Sequence, residues 1–296
     1  MGLLLETVVR LNRLFPRPRI YGRESDNAYS QWEYDTGSAI FTQHFGVEAL
    51  RGRSLLDVGC GMGGKTVWYA EVGAARVVGV DLLAAHVRQT RHFAAVRGQA
   101  ERVHVLQADA MRLPFADASF EVVTANDSME HFADPGAALR ELARVLRPGG
   151  RLYLYFTPYR SPLGSHLYDH VKIPWCQIVL PRPLLYATLE RAVRDEERAR
   201  GGADADARAA QRFRDIVHYF EQDVNGITVR RFHALVAAEP GLRPRAVYYE
   251  PPKFKFLRPL LRLPALREYL AGLVFADLER AEAGGGGPAL SGSPAR

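Results

Sequence analysis

The stretch Leu55-Leu56-Asp57-Val58-Gly59-Cys60-Gly61-Met62-Gly63-Gly64 joins a short apolar run to a glycine-dense turn and then to a helix-forming segment. Glycines admit a close backbone approach that a Cβ would block, and a helix starting near Gly64 offers N–H groups without intrahelical partners. Such a turn suits a nucleotide-like ligand. Gly59, Gly61 and Gly64 satisfy G-x-G-x-x-G, a spacing that several nucleotide-binding folds share. Three carboxylates stand at the ends of successive apolar runs: Asp57, then Asp81 after residues 76–80, then Asp109 after residues 103–107. Asp81 lies about 20 residues past Gly59, where a carboxylate can accept both hydroxyls of a ribose. An aspartate at a strand end is often only a turn former, but three in order beside a glycine loop point to one crevice.

A second constellation follows the apolar run 120–125. Asn126 leads into Asp127-Ser128-Met129-Glu130-His131, and if the chain turns into a helix there, positions i, i+3 and i+4 set Asp127, Glu130 and His131 on one face. Farther on, His166 and His170 are also spaced i and i+4, with Asp169 between them. Two carboxylates with one or two imidazoles suit zinc, manganese or iron, while magnesium prefers more oxygen. Without a metal, His131 and His166 are the candidate general bases. The plain alternative is that Glu130 and His131 only cap or orient a helix.

These residues need a scaffold that brings strand ends together. From residue 51 to 157 the chain alternates strand and helix, which predicts a parallel sheet with right-handed crossovers. Further landmarks come in order: Leu113-Pro114-Phe115, the strand over 120–125, and the turn Leu146-Arg147-Pro148-Gly149-Gly150 running into a strand that ends near Tyr155. With Asp57 ahead of Gly59, Gly61 and Gly63, this series resembles the class I S-adenosylmethionine (SAM)-dependent methyltransferases, in particular the small-molecule type of the ubiquinone and menaquinone pathways. The likeness covers about residues 50–157.

The resemblance implies an α/β fold: a Rossmann-like seven-stranded sheet with helices on both faces, an N-terminal helical segment and an inserted, mostly helical cap. It implies that SAM is held by Asp57, Gly59, Cys60, Gly61, Gly63, Asp81, Leu82, Asp109, Ala110 and Asn126, with Asp109 at the adenine amino group. Carboxylates suit a sulfonium and an ammonium, whereas the pyrophosphate of a dinucleotide would want the opposite charge. Asp127, Glu130 and His131 resemble the E-x-x-E-H motif of ubiquinone-pathway and small-RNA 2′-O-methyltransferases, which implies a divalent metal ion, with His170 as a further ligand. Here aspartate replaces the first glutamate and shortens the reach by one methylene. The implied reaction is methyl transfer to a small or lipophilic acceptor, a hydroxyl oxygen of a quinone-like or secondary-metabolite scaffold. The alternatives are a noncatalytic SAM-binding regulatory module and a methyltransferase acting on RNA or another macromolecule.

Five regions are expected. Residues 1–50 form a helical lid segment: one helix to about residue 15, stopped by Pro16 and Pro18, the aromatics Tyr21, Tyr29, Trp32 and Tyr34, then a helix from about Ser38 to Leu50. Residues 51–157 form the SAM-binding core, and 158–224, rich in proline and then in charge, an inserted substrate cap. Residues 225–283 return to the core with a helix capped by Thr228 and stopped at Pro240-Gly241, and strands over 242–250 and 273–278. The basic apolar insertion over 253–263 reads as a second lid piece or as a peripheral membrane contact. Residues 284–296 read as a disordered tail.

Composition narrows the function classes. The net charge of +6 comes from arginine, because lysine occurs only at positions 65, 172, 253 and 255, and no aromatic-interleaved basic stripe suggests a nucleic-acid partner. Two cysteines, Cys60 and Cys176, cannot build a disulfide framework and fit a reducing, cytoplasmic setting. The apolar start Leu3-Leu4-Leu5 is broken by Glu6 and Arg10, so no secretion signal is expected, and no apolar run is long enough to span a bilayer. The expected partner is a small-molecule substrate.

Overall fold

The computed structural model describes residues 2–15, 25–252 and 255–282. Pro16, Pro18, Tyr21, Lys253, Phe254 and the glycine-rich tail, about which the sequence raised expectations, lie outside them. The described residues divide into two compact units. A sheet unit gathers residues 25–156, 231–248 and 274–282, and a helical unit gathers 2–15, 157–230, 249–252 and 255–273.

The sheet has seven strands: β1 (Ser54–Val58), β2 (Arg76–Asp81), β3 (Val103–Gln107), β4 (Phe120–Asn126), β5 (Leu146–Phe156), β6 (Leu242–Glu250) and β7 (Leu273–Arg280). Their order is β3-β2-β1-β4-β5-β7-β6, parallel from β3 through β5, with β7 antiparallel to β5. Both faces carry helices, so the central strands read as near-continuous apolar runs, and Leu55, Leu56, Val58, Val77 and Val123 are wholly buried. The expected Rossmann-like architecture is therefore present. The connecting helices are α3 (Gly64–Glu71), α4 (Ala84–Val96), α5 (Pro135–Val145) and α9 (Val229–Ala237). Asp134 caps α5 by accepting the N–H groups of Gly136 and Ala137, with Pro135 in the first turn.

One expectation about local structure is corrected. The second helix, α2, spans Asp26–His44 rather than starting near Ser38. Ser25 is its N-cap, its side chain accepting the Ala28 N–H at 3.2 Å, and Asp26 sits in the first turn. Tyr29, Trp32 and Tyr34 are thus on the helix, not ahead of it. Helix α2 is fastened through Phe41, which is wholly buried and packs edge-on against Tyr69 at 5.4 Å and Tyr153 at 5.6 Å. Truncating such a residue to alanine costs about 3–5 kcal/mol. A second tie is polar: the Tyr34 hydroxyl donates to Glu71 at 2.6 Å, and Arg97 both pairs with Glu71 and covers the Tyr34 ring at 4.5 Å.

The helical unit holds α1 (Gly2–Leu14), α6 (Cys176–Val179), α7 (Arg182–Arg200), α8 (Ala205–His218), one π turn over Tyr219–Asp223, a 3₁₀ segment over Lys255–Arg262 and α10 (Pro264–Leu270). Its core is Leu167, Val171, Leu184, Leu185, Leu189, Val193 and Phe220, with Val8 of α1 joining them. Asn12 pins α1 to the loop before α6: its side chain donates to the His170 carbonyl at 2.8 Å and accepts the Lys172 N–H at 2.6 Å. Among the described residues no helix is long and apolar enough to cross a membrane.

Candidate functional site

The crevice begins with strand register. Pairing of Asp57 with Gly79 and of Asp81 with Gln107 sets the C-terminal ends of β1, β2 and β3 side by side, and Ala108 N–H donates to the Asp81 carbonyl at 3.0 Å just before Asp109. The three aspartates therefore lie along one rim of one sheet, where parallel α/β folds bind ligands.

Their environments differ. Asp57 is wholly buried; Thr66 donates to one carboxylate oxygen at 2.6 Å and Thr124 to the other at 2.8 Å. Burial pushes its pKa up against those hydrogen bonds and the nearby Lys65 charge. Asp57 thus braces β1 against α3 and β4 from beneath the loop. Asp81 is accessible and accepts the N–H groups of Gly61 at 2.9 Å and Leu83 at 3.0 Å and the His86 Nδ1 at 3.1 Å. Burial opposes its charge, but those bonds win and hold its pKa below the ordinary value, while the same contact raises that of His86. Beside it Leu82 and Leu83 project apolar surface into solvent, 62% and 53% exposed. Asp109 is half-buried and accepts the Met111 N–H at 2.9 Å, with buried Ala110 next to it.

The glycines serve the protein as much as a ligand. Gly63 has φ of +88°, and a Cβ there would meet the Thr90 backbone of α4 at 2.8 Å. A Cβ on Gly64 would stand 2.2 Å from the Ser30 carbonyl of α2. Gly59 and Gly61 face Ser128 and Glu33 in the same close manner, and Cys60 is buried, its thiol pushed up by burial. Of the expected cofactor residues, Gly59, Gly61, Asp81, Leu82 and Asp109 are on accessible surface, whereas Asp57, Cys60, Gly63, Ala110 and Asn126 are buried.

Sequence reading missed Glu33 and Lys65. Glu33 reaches from α2 to accept the Gly64 N–H at 3.2 Å and that of Met62, so the start of α3 does not offer the free donors expected there. Burial raises its pKa, offset in part by Lys65. Lys65 is itself buried, its stem against Gly37 of α2. Burial disfavours its charge, yet Tyr155, Glu33, Asp127 and Asp57 around it hold its pKa well above the ordinary range. A lysine directly after a glycine loop, on the face of α3 that reads as buried, was the available signal.

Past β4 the expected helix does not form. Asp127 is exposed with φ of +60°, Ser128 donates to the Val58 carbonyl, and only a short 3₁₀ turn over Met129–His131 follows. An aspartate tolerates this left-handed geometry, and it removes Asp127 from any helical face shared with Glu130 and His131. Glu130 is buried and His131 half-buried. His170 lies in the helical unit, its Nδ1 on Glu196 at 3.1 Å, at a cavity of about 320 Å³ also lined by Asn12, Lys172 and Asp195. Neither unit by itself assembles the four residues expected to hold a metal. His166, also in the helical unit, has φ of +55° and its Nδ1 at 3.5 Å from the Tyr219 hydroxyl.

Three features fit SAM. The rim carboxylates match a cationic nucleoside, and the α3 N-terminus that would cradle a pyrophosphate is occupied by the Glu33 carboxylate. Asn126 donates to the Tyr69 hydroxyl at 2.7 Å, but its buried Oδ1 has no donor among the described residues, which suits a ligand N–H.

Fold and crevice resemble those of the class I SAM-dependent methyltransferases. Residues 56–154 match the family model of the methyltransferase domain. Over 119 residues the chain is 44% identical to the methyltransferase GfsG of Streptomyces halstedii, covering 40% of this chain and 43% of that one. Over 114 residues it is 42% identical to the 27-O-demethylrifamycin SV methyltransferase of Amycolatopsis mediterranei, covering 38% and 42%. The chain thus spans about two fifths of the length of these relatives. The solved structure of a geranyl diphosphate methyltransferase with its diphosphate and sinefungin shares the fold, with a TM-score of 0.53 at 18% identity over 90% of this chain and 85% of that one.

Proposed function

We propose that this protein transfers a methyl group from SAM to a hydroxyl oxygen of a small or lipophilic acceptor, of quinone-like or secondary-metabolite type. The observation that carries the reading is the rim itself: Asp81 and Asp109 at adjacent strand ends, exposed Leu82 and Leu83 beside them, and Glu33 closing the loop against pyrophosphate. The relative named for rifamycin O-methylation favours oxygen as the acceptor atom.

When bound, SAM supplies an electrophilic methyl carbon on a sulfonium. Asp81 would accept the ribose hydroxyls, Leu82 would cover the adenine, and Asp109 would take its amino group. The Asn126 Oδ1 would receive an N–H of the methionyl part. Substitution at carbon demands alignment first, so positioning supplies much of the rate. His131, on the turn that follows the rim, would take the acceptor proton, with His166 as the second candidate. No step is assigned to an ion: Asp127 leaves the shared face, and the His170 Nδ1 is on Glu196. A cytoplasmic setting is retained as part of the proposal.

The test is incubation with methyl-labelled SAM and a metabolite extract, with and without chelator, followed by mass spectrometry. Labelled product that persists under chelation and falls by at least about a hundredfold in His131→Ala or His166→Ala supports the reading. SAM binding without any labelled product would support the noncatalytic module instead.

A further inference from the structure

The helical unit carries an apolar surface that its core does not use. Across the 3₁₀ segment and α10, Phe256 is 75% exposed and Leu263 54%, with Leu260, Leu266 and Tyr269 about two fifths exposed. The Trp175 Nε1 donates to the Tyr269 carbonyl at 2.9 Å, which ties the start of α6 to the end of α10 and adds exposed Ile178 and Val179 to the same neighbourhood. The segment is also held in shape: Arg267 donates to the Leu261 carbonyl at 2.8 Å and stacks over the Tyr249 ring at 4.5 Å.

The charge around this surface is mainly basic, although Arg258 pairs with Glu250. Arg258, Arg262 and Arg267 stand within or beside it, and the acid of the same stretch, Glu268, is buried, where it accepts the Arg230 N–H at 3.0 Å. Large apolar side chains set among arginines match a bilayer interface, where the apolar groups enter the acyl boundary and the cations meet anionic headgroups. A second copy of the chain fits poorly, because a two-fold contact through this patch sets arginine against arginine.

We propose that Phe256, Leu260, Leu263, Leu266 and Tyr269, with Arg258 and Arg262, form a peripheral docking surface for an anionic lipid bilayer. The proposal does not depend on which acceptor is methylated, and binding is read without turnover.

The experiment is co-sedimentation of the full chain with vesicles of phosphatidylcholine alone or with about one third phosphatidylglycerol. Binding to the anionic vesicles only, released by high salt, is expected. The double variant Phe256→Ser, Leu263→Ser and the charge variant Arg262→Glu should each weaken the partition constant by about tenfold. Their circular dichroism and melting temperature should match the parent, because the replaced side chains are exposed. Failure to sediment with anionic vesicles, equal binding to both vesicle types, binding unaffected by both variants, or a dimer in light scattering that the double variant dissolves would each overturn the proposal.

Discussion

The Glu33 carboxylate of α2 accepts the Gly64 N–H of α3 at 3.2 Å, so a residue from outside the glycine loop closes the helix end on which the loop depends. Close contact makes this possible: the α2 backbone passes so near Gly64 that no Cβ fits between them. Loop, helix start and N-terminal helix therefore form one polar joint, with the Lys65 charge beneath it.

Glu33→Ala should cost about 2–4 kcal/mol in urea unfolding, because two buried N–H groups and the Lys65 cation lose their partner. Glu33→Gln keeps an acceptor and should cost less. Because burial raises the Glu33 pKa above its ordinary 4.5, its stabilising contribution is greatest below that value and fades as pH rises through the raised one. The stability difference between parent and Glu33→Gln should shrink over that interval; a difference independent of pH would refute the buried carboxyl.

Gly64→Ala should lower stability by at least about 2 kcal/mol, since the added methyl meets the backbone of α2 and not a side chain that can swing away. Thermal denaturation checks this, and an unchanged melting temperature would contradict the tight α2–α3 contact.

The two aspartates on β1 and β2 should separate by assay. Thr124→Val, which strands a buried Asp57 oxygen, should cost about 1–3 kcal/mol in unfolding. It should leave the SAM dissociation constant, measured by calorimetry, within about tenfold of the parent.

Asp81→Ala should show the reverse pattern. In the proposed site, losing a charged acceptor for two ribose hydroxyls should weaken SAM by about a hundredfold. A small change in affinity would mean that the ribose sits elsewhere.

The Asp81–His86 pair predicts a pH window. The folded pKa of His86 is raised, so its contribution is full below the ordinary 6.5 and is lost as pH rises through the raised value. That of Asp81 is lowered, so its contribution holds above the ordinary 3.8 and is lost as acid titrates through the lowered value. Melting temperatures of His86→Ala and parent should converge at alkaline pH and diverge near neutrality. A constant gap would show that the pair carries no proton linkage.

How far the site was legible follows from how local each signal is. Asp57, Asp81 and Asp109 were readable because each ends an apolar run of strand length, and parallel strands in this order must bring their ends to one rim. The start of α2 is hard to read because its aromatics mask an ordinary serine cap at Ser25. The turn after β4 is not legible because Asp127 adopts a left-handed backbone, which nothing in the adjacent residue types demands.

By itself the sequence determined the alternation of strand and helix, the glycine turn and the acidic strand ends, since these depend on hydrophobic period and on residues close in the chain. Only the tertiary structure decided that Asp57 is a buried brace while Asp81 faces the crevice, and that Glu33 closes the loop. It also gathered α1, the 158–230 stretch and the 255–270 segment into one unit. Those outcomes depend on which distant side chains meet each carboxylate and on what packs above each helix, contacts between residues far apart in the chain that no local spacing encodes.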